Sequence, residues 1–191
     1  GVVMSGTPLL QMLRSGMAGC TVLKIEGILN GTINFILTKM SDEGSSYAEA
    51  LEEATSLGYA ESDPSGDVQG WDAAGKVSIL AKIIFGKDIL VSEVERQGIT
   101  CVTPEKIKEA FDSGYAVKLI AGLNWVNGML YAYVTPKEIP FSHPLASIKG
   151  ATNAVSITSD NLGEVTLIGP GAGRRETGQA LLVDLIAMCR D

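Results

Sequence analysis

The residues from Gly58 to Phe85 constrain this chain more than any others. They read GYAESDPSGDVQGWDAAGK and then VSILAKIIF. Glu61, Asp63, Asp67 and Asp72 place four carboxylates within twelve positions. The apolar segment behind them belongs in a protein interior. The fold must therefore bury a helix whose entry loop carries concentrated negative charge. Loops that deliver charge to the end of a packed element commonly build small-molecule sites.

Pro64 and Gly66 interrupt regular structure, and the Asp63-Pro64 step favours a turn. The long helix is expected to begin near Asp67 as its N-cap. From there Trp71, Ala74, Val77, Ile79, Leu80, Ile83 and Ile84 recur at helical spacing. Asp72 and Lys76 are four apart and so share one face, which continues as Ile79, Leu80 and Ile83. A charged pair on a stripe that continues as core is partly desolvated, and a lysine in that setting suits proton exchange with a substrate. The same i,i+4 pair is also the ordinary form of a surface ion pair worth ~0.3–0.5 kcal/mol. Spacing alone does not choose between them. Asp63-Pro-Ser-Gly-Asp67 lacks the ligand pattern of a calcium loop.

Composition removes several functional classes. A net charge of −7 and the lack of a basic stripe argue against nucleic-acid binding. Cys20, Cys101 and Cys189 are far apart and form no C-x-x-C, so neither a disulfide framework nor a zinc site is indicated. That usage fits a reducing compartment and a cytoplasmic location. No apolar run approaches the ~18–20 residues of a membrane span. The 191 residues suffice for one domain, or one with an appendage, and an apolar fraction of 46% supports a core.

In chain order, the opening residues read as strand-like, followed by a Gly6-Thr7-Pro8 turn and a short helix ended at Gly16 or Gly19. Thr21 to Ile28 alternates as a strand. Asn30-Gly31 is either a hairpin turn or a strand-to-helix junction, and the helical pattern of Ile33 to Met40 favours the junction. Backbone N–H groups at such a junction can hold an anion, or can simply be capped. Ser45 to Leu57 forms a second helix, with Ser46 and Glu49 as a capping box and Gly58 at its end. Gly98 to Val102 is expected as a short strand. Thr103 caps a helix over Pro104 to Ser113. Val117 to Leu123 and Met129 to Val134 pair as an antiparallel hairpin through Asn127-Gly128. The lone histidine, His143, lies between prolines and reads as structural. Asn153 to Ser159 and Val165 to Gly169 are two further strands. A glycine-rich turn from Gly169 to Gly173 opens the last helix, Glu176 to Cys189, and is a weak candidate to approach a phosphate. The sum is an α+β fold, a largely antiparallel or mixed sheet with helices packed on one face.

Five stretches then carry a resemblance: GILNGTINFILTKM, LGYAESDPSGDVQGWDAAGKVSILA, GITCVTPEKIKEA, VTPKEIPFSHPLASIKGATNAV and GPGAGRRETGQALLVDL, in that order and across nearly the whole chain. Together they resemble the catalytic portion of homoserine dehydrogenases. The resemblance implies NAD(P)-dependent interconversion of L-aspartate 4-semialdehyde and L-homoserine, toward threonine and methionine. It places Lys76 as the catalytic proton donor and acceptor. It places Glu61 on the substrate ammonium, with Asp72 and Asp67 as further substrate-site carboxylates. Gly31, Thr32 and Tyr59 border the substrate. Gly58, Gly171 and Gly173 face the NAD or NADP cofactor. Carbonyls of Val3, Ser5 and Gly6 are candidates to hold a monovalent cation. A homodimer is implied as well.

In that family a nucleotide-binding domain with a G-x-G-x-x-G fingerprint precedes this region, and these residues contain no such pattern. The expectation is a catalytic and dimerisation domain over 1–168, with 169–191 forming a turn and helix that return to the nucleotide-binding domain. Alone, this portion is expected to be inactive. A noncatalytic dimerisation or amino-acid-binding module is the alternative.

Overall fold

The computed structural model describes residues 3–189. A six-stranded sheet runs through it in the order β2-β4-β3-β1-β5-β6. Its strands are β1 (Val22–Ile28), β2 (Glu95–Arg96), β3 (Tyr115–Val126), β4 (Met129–Pro140), β5 (Thr152–Ser159) and β6 (Gly163–Pro170). Every neighbouring pair is antiparallel except the short β2–β4 edge, so the sheet is mixed, as the sequence pattern indicates.

β1 is central. Its Ile25 lies opposite Leu123 of β3 and Ile157 of β5, and all three face the helices. β3 and β4 pair along their whole length, further than the sequence pattern suggests. Asn127 and Gly128, with φ of 50° and 79°, supply the two left-handed residues that a tight two-residue hairpin turn requires.

The helices are α1 (Leu9–Gln11, continued by a π turn over Met12–Gly16), α2 (Gly31–Glu43), α3 (Tyr47–Ser56), α4 (Ser65–Val68), α5 (Trp71–Phe85), α6 (Pro104–Asp112) and α7 (Arg174–Met188). The main core joins Ile33, Ile36, Leu37 and Met40 of α2 to Val77, Leu80 and Ala81 of α5 and to one face of the sheet. Each of these side chains is at most 2% exposed. At ~25 cal/mol per Å2, such burial is the main term holding the helices on the sheet. The opposite sheet face is covered at one end by a helical turn over Pro144–Ser147, which packs Leu145 on Ile28 and Ile120.

Several local signals form as read. The Ser46–Glu49 capping box is complete, and Thr103 accepts from Lys106 N at 3.3 Å. His143 is structural in its contacts, its Nδ1 accepting from Leu145 N at 3.1 Å.

Three expectations fail. Asp67 does not cap the long helix: it lies inside α4, and Gly70, in the left-handed region at φ 82°, separates α4 from α5. That conformation is open to glycine without a Cβ penalty, and the Asp67 carboxylate bonds the Asn30 side chain instead of an α5 backbone N–H. Gly98 to Val102 forms turns rather than a strand, because Ile99 N bonds Val68 O at 3.1 Å and Val102 N folds back to Ile99 O. The strand expected at the start is a turn over Met4–Ser5 among the described residues, with Gly1 and Val2 outside them. The apolar helix is also less enclosed than its sequence suggests, since Trp71 and Ile83 are 42% and 40% exposed.

Candidate active site

The site is built where β1 ends and α2 begins. Asn30 caps α2 by accepting from Ile33 N at 2.9 Å through Oδ1. Its Nδ2 then donates to Asp67 Oδ1 at 2.7 Å and to Asp72 Oδ2 at 2.8 Å. One buried amide therefore joins the α2 terminus to two carboxylates from α4 and α5. The position of α4 is secured from the sheet edge: Arg96 donates to Gln69 O and lies 3.6 Å over the Trp71 ring.

Lys76 approaches the same cluster from α5. Its Nζ donates to Asp72 Oδ2 at 2.7 Å and to Leu29 O, the last carbonyl before Asn30, at 2.7 Å. An ammonium carries three donors, so one N–H is left for a reacting atom. The lysine side chain is 17% exposed and that of Asp72 37%. Of the two readings of the Asp72–Lys76 spacing, the half-buried one is realised. The pair is tied to a strand end and to a second carboxylate, unlike a solitary surface pair.

Around this centre the other expected residues are arranged unequally. Thr32 Oγ1 donates to Tyr59 O at 2.7 Å, which draws the end of α3 onto the start of α2. Tyr59 also packs on Phe35 at 5.0 Å between ring centroids. Gly58 ends α3 with φ 76°. A Cβ on Gly31 would stand 2.7 Å from Ala151 O, so the bare α2 terminus is needed for close packing on the 148–152 loop. Glu61 is exposed and has no hydrogen-bond or ion-pair partner among the described residues. Asp63 is used locally: the Ser65 side chain, and then Ser65 N at 3.1 Å, hold its carboxyl below the ordinary range.

Gly171 and Gly173 stand at a separate place, the end of β6 and the start of α7. A Cβ on Gly171 would lie 2.2 Å from the Asn153 side chain, whose amide is 1% exposed and has neither its N–H2 nor its carbonyl bonded. An orphan amide of this kind fits a carboxamide, the polar group of a nicotinamide. A phosphate fits poorly, because the Glu176 carboxylate occupies the position beside Gly173. Ser5 and Gly6 pack against the first turn of α7, with Ser5 Oγ 2.9 Å from Thr177 Oγ1, while Val3 is buried in the main core. They offer main-chain carbonyls, a donor set that suits hard cations. No cluster of three His, Cys, Asp or Glu side chains placed for a metal occurs among the described residues.

Asn30 is the functional residue that sequence reasoning missed. Its signal was present: an asparagine directly before a helical pattern is an N-cap, but a capping amide that also spans two distant carboxylates has no local signature.

A mixed sheet covered by helices, with a lysine–carboxylate cluster at a strand-to-helix junction, places the chain in the α+β class. Within that class, the chain belongs to the homoserine dehydrogenase family, whose family model matches residues 8–186. It is 46% identical over 187 residues to the NAD(+)-dependent homoserine dehydrogenase of Pseudomonas canavaninivorans, covering 97% of this chain and 53% of that protein. It is 39% identical over 189 residues to the homoserine dehydrogenase of Bacillus subtilis, covering 99% and 44%. A homoserine dehydrogenase structure from Thiobacillus denitrificans superimposes with a TM-score of 0.93 at 37% identity, covering 96% of this chain and 43% of that one. A hyperthermophilic archaeal homoserine dehydrogenase mutant in complex with NADPH gives 0.80 at 38% identity, covering 96% and 52%. The chain thus spans about half the length of the curated relatives it matches. No helix among the described residues is long and apolar enough to cross a membrane.

Proposed function

We propose that this chain is the catalytic and dimerisation part of an NAD(P)-dependent homoserine dehydrogenase that interconverts L-homoserine and L-aspartate 4-semialdehyde. The observation that carries the reading is the fixed Lys76 ammonium, with two N–H groups committed to Leu29 O and Asp72 and the third free. The family relationship and the names of the relatives support the same chemistry.

In this reading Lys76 exchanges a proton with the substrate oxygen. During alcohol oxidation the hydroxyl proton passes to Nζ; during aldehyde reduction Nζ returns it to the forming alkoxide. Bound NAD or NADP supplies the hydride chemistry. Asp72 holds the lysine in place, and Asn30 donates to the same carboxylate oxygen, so Asp72 is itself held beside Nζ. Glu61, with no internal partner, accepts the substrate ammonium, with Asp67 and Asp72 adding negative potential. Gly31, Thr32 and Tyr59 border the substrate. Gly58, Gly171 and Gly173, with Asn153, face the nicotinamide end of the cofactor. Carbonyls of Val3, Ser5 and Gly6 would hold a monovalent cation, and residues 169–191 would return to a nucleotide-binding domain. The sheet face that carries exposed Tyr131, stacked on buried Tyr133 and flanked by Glu26 and Lys137, suits a homodimer contact. A cytoplasmic location and a role in threonine and methionine synthesis follow from the same reading.

The test is homoserine-dependent reduction of NAD(P)+, followed at the nicotinamide absorbance, in protein carrying this chain together with a nucleotide-binding domain. Lys76→Ala should lower kcat by about two to four orders of magnitude with the fold intact. Activity within tenfold of the parent would exclude the proton-transfer role.

A further inference from the structure

A second built site lies along α2, beginning one turn on from Asn30. Lys118 of β3 is only 4% exposed. Its Nζ reaches past the end of β1 to donate to Ile148 O and, at 3.2 Å, to Asn34 Oδ1. Both acceptors are neutral. Asn34 is itself fully engaged, its Nδ2 donating to Ile148, Gly150 and Thr152 carbonyls. Among the described residues no carboxylate lies within ion-pair distance of Lys118. The nearest one that influences it, Asp42, is already held by Lys149 through both oxygens at 2.7 and 2.8 Å.

A buried ammonium met only by neutral oxygens is under-compensated, and a counter-charge would be strongly favoured there. Lys118 and Lys149 against Asp42 leave one positive charge uncancelled. The third Lys118 N–H has no partner among the described residues. Beside it is a cavity of about 320 Å3, within the range of small-molecule sites. Its walls are apolar: Leu37, Ala116, Ala146, and the rings of Phe111 and Phe141, which meet edge to face at 5.2 Å. These rings are 56% and 49% exposed, so they leave apolar surface open to an occupant. Ser147 and the Asp42–Lys149 pair stand among the polar lining residues.

We propose that this cavity binds a small apolar monocarboxylate, with its carboxylate on Lys118 Nζ and its hydrocarbon body against Phe111 and Phe141. The arrangement matches one anionic head to one unpaired buried cation and one apolar body to one aromatic wall. Asp42 and Lys149 compensate each other at the cavity, so the one uncancelled charge is that of Lys118, which matches a ligand with one anionic group. Burial, with Lys149 adding to it and Asp42 opposing, brings the Lys118 ammonium down to about 8, the direction expected of a cation that lacks its counter-ion.

The experiment is calorimetric titration, in protein carrying this chain together with a nucleotide-binding domain, with 3-phenylpropanoate beside its neutral isostere 3-phenylpropanamide. The expected result is saturable one-to-one binding of the acid, at least tenfold tighter than the amide. Lys118→Met should weaken the acid at least tenfold and leave the amide unchanged. Because removing Lys118 can disturb the fold, Ser147→Trp serves as the second variant. Ser147 is exposed, so the indole narrows the cavity without entering the core, and acid binding should be lost with the thermal unfolding transition intact. Equal affinity for acid and amide, an absence of saturable binding, or unchanged binding in Ser147→Trp would each overturn the proposal.

Discussion

Asn30 and Lys76 do not bond each other, but they share one oxygen: Asp72 Oδ2 lies 2.8 Å from Asn30 Nδ2 and 2.7 Å from Lys76 Nζ. The shared oxygen couples a helix cap to the candidate catalytic ammonium. Any change at Asn30 must therefore appear in both stability and catalysis.

Asn30→Ala removes the α2 cap and both carboxylate contacts. The cap alone is worth about 0.5–2 kcal/mol, and Asp67 and Asp72 lose a shared donor as well. Asn30→Asp should restore the cap, since aspartate caps as well as asparagine, but it would bring a third carboxylate against Asp67 and Asp72. Denaturant unfolding should show Asn30→Asp more stable than Asn30→Ala. Dehydrogenase assays should show both impaired. Full activity in Asn30→Asp would mean that the amide donors are dispensable.

Lys76→Arg keeps a cation beside Asp72 but replaces a proton donor by a group that does not deprotonate in this range. The ion pair and fold should persist while kcat falls by about two orders of magnitude or more. A substrate-affinity defect with kcat preserved would instead assign Lys76 to binding alone.

Gly31→Ala places a methyl 2.7 Å from Ala151 O, a backbone atom that cannot rotate away. The strain should cost about 1–3 kcal/mol by overpacking. It should also open the gap between α2 and the 148–152 loop. Gly178→Ala, at a helical position in α7 without a positive φ and with no neighbour within 4 Å, makes the same change without a collision. Comparable melting temperatures for the two would exclude the collision.

Lys118 gives the chain a definite pH response. The unfolded lysine titrates near 10.5 and the folded one near 8. Between these values the unfolded chain binds more protons, so this group's destabilising effect, complete below about pH 8, is relieved as pH rises toward 10.5. The whole relief corresponds to roughly 3 kcal/mol. Lys149 and Asp42 are the charged groups that act on it, with opposite signs. Measured against Lys118→Met by urea unfolding, the parent should gain stability across that interval. A constant difference between the two proteins would exclude a buried charged lysine.

Much of this architecture is local. Alternating apolar residues produce β1, β3, β4, β5 and β6. The Ser46–Glu49 box and Thr103-Pro104 start their helices by short-range hydrogen bonds that need no distant partner. Asp72 and Lys76 share a face because a helix repeats every 3.6 residues. These features, the α+β class and the family resemblance were determined by the sequence itself. The tertiary structure decided what distance along the chain conceals. Asn30 meets Asp67 and Asp72 across separations of 37 and 42 residues, and it does so because Gly70 turns α4 away from α5 and the β1 end meets both. Lys118 sits in a strand whose alternation predicts only an exposed or buried face. It lies past the last β1–β3 pair, Gly27 with Ala121, and there its Nζ meets Asn34 of α2. Periodicity records which way a side chain points; which groups it meets there depends on sheet register and helix placement, and these are set by the packing of the whole chain.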